Sequence, residues 1–209
     1  MPPTRNCIIC FKKVNITDFC RLFNGKIPIC QVCQTEMEPK FIKFRVDNHK
    51  ATSLYDYNPF IRKLIYQYKG CYDYELHQVF LDRYAKEIKL RYFDRVIIPI
   101  PSYQNEDEQR GFNHVIETFK SIGLNMLNIL EKTEKHKQAL SSFKQRKEVY
   151  KYLELKSYPD LNKKKVLIVD DVYTTGSTMK SAIHLIEKLN PKKIDVLVVA
   201  KTRGKRLPK

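Results

Sequence analysis

The sequence has no long hydrophobic run. None of its apolar stretches approaches the ~18 residues of a membrane-spanning helix, so no transmembrane segment is expected. The first ten residues, MPPTRNCIIC, are polar and lack the apolar centre of a secretory signal peptide. Internal repeats are also absent. These absences predict a cytoplasmic protein, in which cysteines stay reduced and bind metal more often than they form disulfides.

Acidic residues are few relative to basic ones. There are 23 Asp and Glu residues against 39 Lys and Arg residues, which leaves a net charge of +16. A charge of this size attracts polyanions, so nucleic acid, phosphorylated metabolites and anionic membrane surfaces are candidate partners. The alternative is that the charge serves solubility alone. At 209 residues, the chain is long enough for one core and a small appended module.

Four of the six cysteines form two closely spaced pairs, Cys7-x2-Cys10 and Cys30-x2-Cys33. This spacing predicts a zinc ribbon or knuckle, since each pair makes a tight turn that directs two thiolates to one point. Four protein ligands leave no open coordination position, so the predicted Zn²⁺ is structural. Cys20 lies between the pairs without a near partner, and whether it ever binds zinc stays open.

Strand and helix patterns alternate in the rest of the chain. Strands are predicted over 95–100, 165–169 and 194–200, and helices over 76–91, 111–131 and 177–189. Residues 34–50 are predicted to be a helix and a connector. The alternation indicates an α/β fold with a parallel sheet that helices cover on both faces. We therefore divide the chain into a zinc-binding module with its connector, 1–50, and an α/β domain, 51–209.

The most informative motif is the run 166–178, VLIVDDVYTTGST. A predicted strand ends at Asp170 and Asp171, a turn of small residues follows, and a helix begins near Ser177. Ligands of open α/β sheets bind beyond the carboxyl ends of the strands. There, carboxylates accept hydrogen bonds from sugar hydroxyls or hold a hydrated Mg²⁺, while backbone N–H groups at the helix start bind a phosphate. The alternative is an ordinary turn with helix capping.

This motif resembles the signature of type I phosphoribosyltransferases, which bind 5-phosphoribosyl-1-pyrophosphate (PRPP) together with Mg²⁺. In that family the acidic pair binds the ribose hydroxyls and the following loop binds the 5′-phosphate. The resemblance implies that Asp170 and Asp171 bind the ribose and take part in catalysis. The implied loop contacts to PRPP are Val172, Tyr173, Thr174, Thr175, Gly176, Ser177 and Thr178.

Three further motifs narrow the resemblance: Lys69-Gly70, Ile98-Pro99-Ile100-Pro101 and Gln109-Arg110-Gly111-Phe112-Asn113-His114. In this order, behind a four-cysteine module, they resemble the ComF family of competence proteins, which act in DNA uptake during bacterial natural transformation. The resemblance covers nearly the whole chain. It implies a location at the inner face of the membrane near the DNA-uptake machinery. The implied protein partner is a DNA-translocating helicase or a strand-loading protein.

PRPP carries three phosphoryl groups, which a backbone loop alone cannot neutralise. Arg110 and Lys69 are the candidate pyrophosphate contacts, Arg110 with a catalytic role, and Pro101 lies in the implied pyrophosphate loop. A basic segment that is predicted to be mobile supplies candidate lid residues: Lys135, Lys137, Lys144 and Arg146. No residue is an obvious general base. His114 and His136 are either acid–base groups or ordinary packed or surface residues.

Aromatic and basic residues are interleaved over 55–72, namely Tyr55, Tyr57, Phe60, Arg62, Lys63, Tyr66, Tyr68, Lys69 and Tyr72. This pattern suits single-stranded DNA, because bases stack on aromatic rings among cations. An equally good interpretation is that the aromatic residues dock the zinc module against the sheet. Two classes of function remain. The chain is a PRPP-dependent transferase with an unknown acceptor, nucleotide salvage being the weaker version, or a non-catalytic PRPP sensor that holds single-stranded DNA.

Overall fold

The computed structural model describes residues 5–14, 27–133 and 153–203. In chain order its strands are β1 (Arg5–Asn6), β2 (Lys13–Val14), β3 (Ile42–Val46), β4 (His49–Asp56), β5 (Arg95–Pro99), β6 (Leu130–Lys132), β7 (Leu153–Leu155), β8 (Lys165–Tyr173) and β9 (Lys193–Lys201). Its α-helices are α1 (Gln31–Met37), α2 (Pro59–Gly70), α3 (His77–Leu81), α4 (Ala85–Arg91), α5 (Gln104–Arg110), α6 (His114–Lys120) and α7 (Ser177–Glu187).

A five-stranded sheet in the order β3-β4-β9-β8-β5 forms the centre of the molecule. The strands β4, β9, β8 and β5 run parallel, and β3 pairs antiparallel with β4 at the edge. The inner strands carry largely apolar runs that are buried, 166–169 in β8 and 194–200 in β9, as is typical of parallel strands covered on both faces. The α/β prediction is confirmed, and the antiparallel edge strand is an addition to it.

Alternate residues of β8 face opposite sides of the sheet. Val166 and Ile168 belong to an apolar cluster that contains Ile183 of α7. Leu167 and Val169 belong to a second cluster on the other side, which contains buried residues of α2 and α6. These two layers fix β8 from both faces and leave its carboxyl end at the rim of the sheet.

The N-terminal residues pack on the same core. Cys7, Cys33 and Met37 belong to the cluster that contains Ile61 of α2. The Asn58 amide, which precedes α2, also donates a hydrogen bond to the Glu36 carbonyl at 3.2 Å. The predicted division after residue 50 falls within β4, and β3 on its N-terminal side is part of the central sheet. The division into two domains stays a prediction.

Two predicted helices are wrong in extent. The segment 76–91 is not one helix, because α3 and α4 are separated by a 3₁₀ turn, Asp82–Tyr84. Of 111–131, only α6 is α-helical: the chain bends at Gly111 (φ 80°) and Gly123 (φ 66°), and β6 begins at residue 130. Among the described residues, no helix is both long and apolar enough to cross a bilayer.

Candidate functional site

Two carboxylates lie at the carboxyl end of β8. The backbone N–H of Asp171 donates to the Asp170 Oδ1 at 2.9 Å, and the backbone N–H of Val172 donates to the Asp171 Oδ1 at 2.7 Å. Both side chains are therefore oriented by the strand itself. The structure places these two predicted site residues together at the edge of the sheet where ligands of open α/β folds generally bind.

The two carboxylates have opposite electrostatic environments. Burial raises the pKa of Asp171, but hydrogen bonds from His114 Nε2 and Lys69 Nζ, each 3.1 Å from Oδ2, outweigh it and hold that pKa well below its usual value. Burial and the adjacent charge of Asp171 raise the pKa of Asp170 well above its usual value. Asp170 is therefore the carboxylate whose charge a bound cation or sugar hydroxyl would stabilise most.

His114 is buried behind Asp171, with 4% of its surface exposed. Its Nδ1 lies 3.2 Å from Arg110 Nη1 and 3.1 Å from the Ser102 hydroxyl. A guanidinium only donates hydrogen bonds, so Nδ1 must accept, and the ring hydrogen is on Nε2, where it points at Asp171. This arrangement fixes the tautomer of His114 and, through it, one oxygen of Asp171.

We expect His114→Leu to destabilise the fold, because one donor to the Asp171 carboxylate and the acceptor for Arg110 are both removed. Leaving that buried guanidinium hydrogen unpaired costs about 1–3 kcal/mol of unfolding free energy. His114→Gln keeps an N–H donor and an acceptor oxygen, so it should recover most of the loss. Urea denaturation of both variants tests this. If both variants lost the same unfolding free energy, the hydrogen bonds of His114 would not contribute to stability.

Arg110 is not at the surface of the site. Its side chain is 3% exposed, and its Nε donates to the Lys69 carbonyl at 3.0 Å while Nη1 donates to Asp107 at 2.9 Å. These contacts make it a support for His114 and for the end of α2. A direct bond from Arg110 to pyrophosphate and a catalytic role stay predictions.

The loop after β8 leads into α7 through a glycine turn. Gly176 precedes α7 with a φ of 79°, a left-handed conformation that favours glycine. The Tyr173 hydroxyl also covers this residue: a Cβ on Gly176 would lie 2.2 Å from that oxygen. The left-handed φ therefore favours glycine here, and a larger residue would also displace the Tyr173 ring. The turn ends at the N-terminus of α7, an eleven-residue helix, where the Ser177 N–H lies 3.5 Å from the Thr175 hydroxyl. Helix N-termini attract anions, because their first N–H groups have no partner within the helix.

The structure separates the other predicted residues. Lys69 is 3.1 Å from Asp171 and lines a pocket of about 960 Å³ beside it. Pro101 lines a different pocket of about 530 Å³, together with Lys132. Four residues of the predicted lid lie outside the described residues, namely Lys135, Lys137, Lys144 and Arg146, as do His136 and Cys20.

Three residues near the acidic pair were missed or left undecided by the sequence analysis. His114 lies within the predicted RGFNH segment, and only its position behind Asp171 decides between the two interpretations of it. Ser102 follows the IPIP motif and completes the hydrogen bonds of His114. Lys132 faces Asp170 closely enough for its charge to lower that pKa in part. No local motif marks Lys132, because its proximity depends on the pairing of β6 and β7.

The four paired cysteines meet at one point. The Sγ atoms of Cys7, Cys10, Cys30 and Cys33 all lie within 4.8 Å of one another. Tetrahedral zinc–thiolate bonds place neighbouring sulfurs about 3.8 Å apart, and the Cys10 and Cys30 sulfurs are 3.6 Å apart. The Cys30 N–H also donates to the Cys7 sulfur at 3.3 Å, which stabilises a thiolate. The geometry and the sulfur donors fit a metal ion such as zinc.

The mixed sheet, the acidic pair at the end of β8 and the glycine turn before α7 define a type I phosphoribosyltransferase-like protein with an N-terminal four-cysteine cluster. Residues 79–209 match the phosphoribosyl transferase domain, and the chain belongs to that family.

A curated relative is the competence protein ComFC of Streptococcus pneumoniae, which is 29% identical over 147 residues. The match covers 70% of this chain and 65% of the relative's length. Together with the domain match and the four-cysteine cluster, it fits a ComF-family protein.

Solved structures of phosphoribosyltransferases are more distant. The hypoxanthine phosphoribosyltransferase of Staphylococcus aureus is 12% identical with a TM-score of 0.38, and the alignment covers 63% of this chain and 71% of that one. The hypoxanthine phosphoribosyl transferase of Trypanosoma cruzi is 16% identical with a TM-score of 0.41, covering 64% and 69%.

Proposed function

We propose that this protein binds PRPP with Mg²⁺ at the carboxyl end of β8 and acts in competence-related DNA uptake, binding single-stranded DNA on its basic surface. The observation that carries the PRPP assignment is the acidic pair immediately before the Gly176 turn and the start of α7. The competence role is supported by the likeness to ComFC. The net charge of +16 supports the binding of DNA.

In this proposal each part of the site has a separate task. The Asp170 and Asp171 carboxylates accept hydrogen bonds from the ribose hydroxyls, while the turn 174–178 and the first N–H groups of α7 bind the 5′-phosphate. Lys69, held at 3.1 Å by Asp171, supplies positive charge beside the ribose. Mg²⁺, when bound with PRPP, neutralises part of the pyrophosphate charge. Asp170 and Asp171 supply the carboxylate oxygens that such a cation prefers, at the same end of β8.

Whether the bound PRPP reacts is decided by an acceptor screen that is scored by pyrophosphate release. Release that depends on an added base, nucleotide or DNA would make the protein a transferase. Tight PRPP binding without release for any acceptor would make it a PRPP receptor. His114 is held behind Asp171 by Arg110 and Ser102, and in this proposal it positions the Asp171 carboxylate.

We expect single-stranded DNA to bind with a strong dependence on salt. Each phosphate contact releases a counterion, so the association constant should fall at least ~10-fold between about 50 and 200 mM salt. Fluorescence anisotropy with a labelled oligonucleotide measures this, with PRPP calorimetry on the same preparation as the control for activity. Absent or salt-independent DNA binding would contradict the proposal. The proposed setting is the cytoplasmic face of the uptake machinery, with a helicase or strand-loading protein as partner.

A further inference from the structure

The pocket of about 960 Å³ beside Asp171 extends well beyond the predicted ribose site. One side is the carboxyl end of β8, with Asp171, Val172 and Thr174, and the other is helix α2 with the residues just before it. It is therefore continuous with the site proposed for PRPP. The wall opposite β8 is formed by side chains of α2 that, apart from Lys69, have no part in the proposed ribose and phosphate contacts.

An exposed aromatic ring forms part of this wall. Tyr66 of α2 is 67% exposed, although large aromatic side chains are usually covered. Its ring lies against the backbone of Gly70, where an added Cβ would be 3.2 Å from the ring carbons. Glycine thus allows the ring to lie close to the helix, with its remaining surface free. Such a surface is a platform on which a nucleic acid base can stack.

Two cations lie one helical turn before that ring. Arg62 and Lys63 are exposed, and neither side chain has an ion pair with another residue of the described chain. Lys69 lines the same pocket, but its ammonium group is engaged by Asp171. Asp171 is the one carboxylate in the described lining, and it is already bound by Lys69 and His114. The outer pocket therefore keeps two positive charges that are not neutralised.

We propose that this outer pocket is a binding site for a nucleotide, that is, a base that stacks on Tyr66 and a phosphate that binds Arg62 and Lys63. A free nucleobase would stack on the Tyr66 ring but leave both cations without a counter-charge. A nucleotide would stack on the same ring and also bind both cations through its phosphate. The ligand is either a free nucleotide or the terminal nucleotide of a single strand. This inference depends on the proposed function only in naming PRPP as the ligand of the adjacent site at the end of β8.

The test compares adenosine 5′-monophosphate with adenosine by calorimetry. We expect the monophosphate to bind at least ~10-fold more tightly, since one or two charge-assisted hydrogen bonds supply that much. Arg62→Ala with Lys63→Ala should remove this difference while changing PRPP affinity less than about two-fold. Tyr66→Ala should weaken both ligands about 10-fold, because both lose the stacking surface.

A control pair removes the same two charges elsewhere. Arg45→Ala with Lys50→Ala changes a cross-strand pair on β3 and β4, at the amino end of the parallel strands, and should leave the affinity for the monophosphate unchanged. The proposal is overturned if adenosine and its monophosphate bind equally. It is also overturned if the control pair has the same effect as the Arg62 and Lys63 pair, or if that pair weakens PRPP as much as the monophosphate.

A short oligodeoxyadenylate with and without a 5′-phosphate separates the two sources of the ligand. If the phosphorylated strand displaces the monophosphate and the plain strand does not, the pocket binds a strand end. If neither strand displaces it, the pocket binds a free nucleotide. Failure of wild-type protein to bind PRPP would overturn the proposed function and leave the nucleotide result standing.

Discussion

PRPP binding should disappear when Asp170 and Asp171 are both replaced by asparagine. Calorimetry on the double variant is expected to show at least ~100-fold weaker binding, since each lost charge-assisted hydrogen bond to a ribose hydroxyl costs about 1.5–3 kcal/mol. Asparagine keeps the shape of the side chain, so the sheet should remain intact. Circular dichroism and urea denaturation confirm that the folded fraction is unchanged.

The single variants separate the two carboxylates. Asp170→Asn removes the charge that burial and Asp171 disfavour, so the variant should be more stable than the wild type at neutral pH. That difference should shrink as the pH falls through the raised pKa of Asp170 towards 3.8, because the wild-type carboxyl group then takes up a proton in the folded state. Asp171→Asn should be less stable, because it removes the charge that binds Lys69 and His114.

A charge-matched control is needed in a protein with a net charge of +16. Glu75→Gln with Glu87→Gln removes two exposed carboxylates, one just before α3 and one in α4. This variant should leave PRPP affinity within about two-fold of the wild type. If the folded Asp170 and Asp171 variant kept wild-type affinity, the PRPP site would have to lie elsewhere.

The sequence predicted the parts of this site that are local. In the run 166–178, one strand, two acids, a turn and a helix start follow each other directly, so the chain order is also the spatial order. The helix begins at Ser177 as predicted, whereas the strand, predicted over 165–169, extends to residue 173 and includes both acids. The two cysteine pairs are local in the same sense, since each turn fixes the relative position of two sulfurs.

Contacts between distant segments could not be predicted in this way. Lys69 and Asp171 are 102 residues apart, and His114 and Asp171 are 57 apart, so their meeting depends on how α2 and α6 pack on the sheet. The same packing buries Arg110, which the motif alone suggested as a phosphate contact. It also divides the aromatic segment: Tyr55 and Tyr68 are in the core, while Tyr66 is exposed. Burial, which is a tertiary property, decides these roles.

Removing the metal from the cysteine cluster should destabilise more than the N-terminal residues. Structural zinc contributes about 10–16 kcal/mol to the folding of small zinc modules. Here Cys7 and Cys33 share a core with Ile61 of α2, so loss of the metal should also loosen that helix. The expected result is about one zinc per chain in the wild type, and near-complete loss of zinc in Cys10→Ser with Cys30→Ser.

Thermal unfolding in the presence and absence of a chelator gives the energetic result. The chelator should lower the melting temperature of the wild type and have no effect on the Cys10 and Cys30 variant, which already lacks the metal. Cys10 and Cys30 are half-buried, so serine in their place removes ligands without opening a cavity in the core. Cys71→Ser is the matched control, because Cys71 is exposed and is not part of the cluster.

A double variant with full zinc content and unchanged melting temperature would show that the four sulfurs do not hold a structural metal. Because the metal is expected to stabilise α2, its removal should weaken nucleotide binding at Tyr66 more than PRPP binding at the carboxylates of β8. The sheet fixes β8 from both faces, so its carboxylates depend less on the metal.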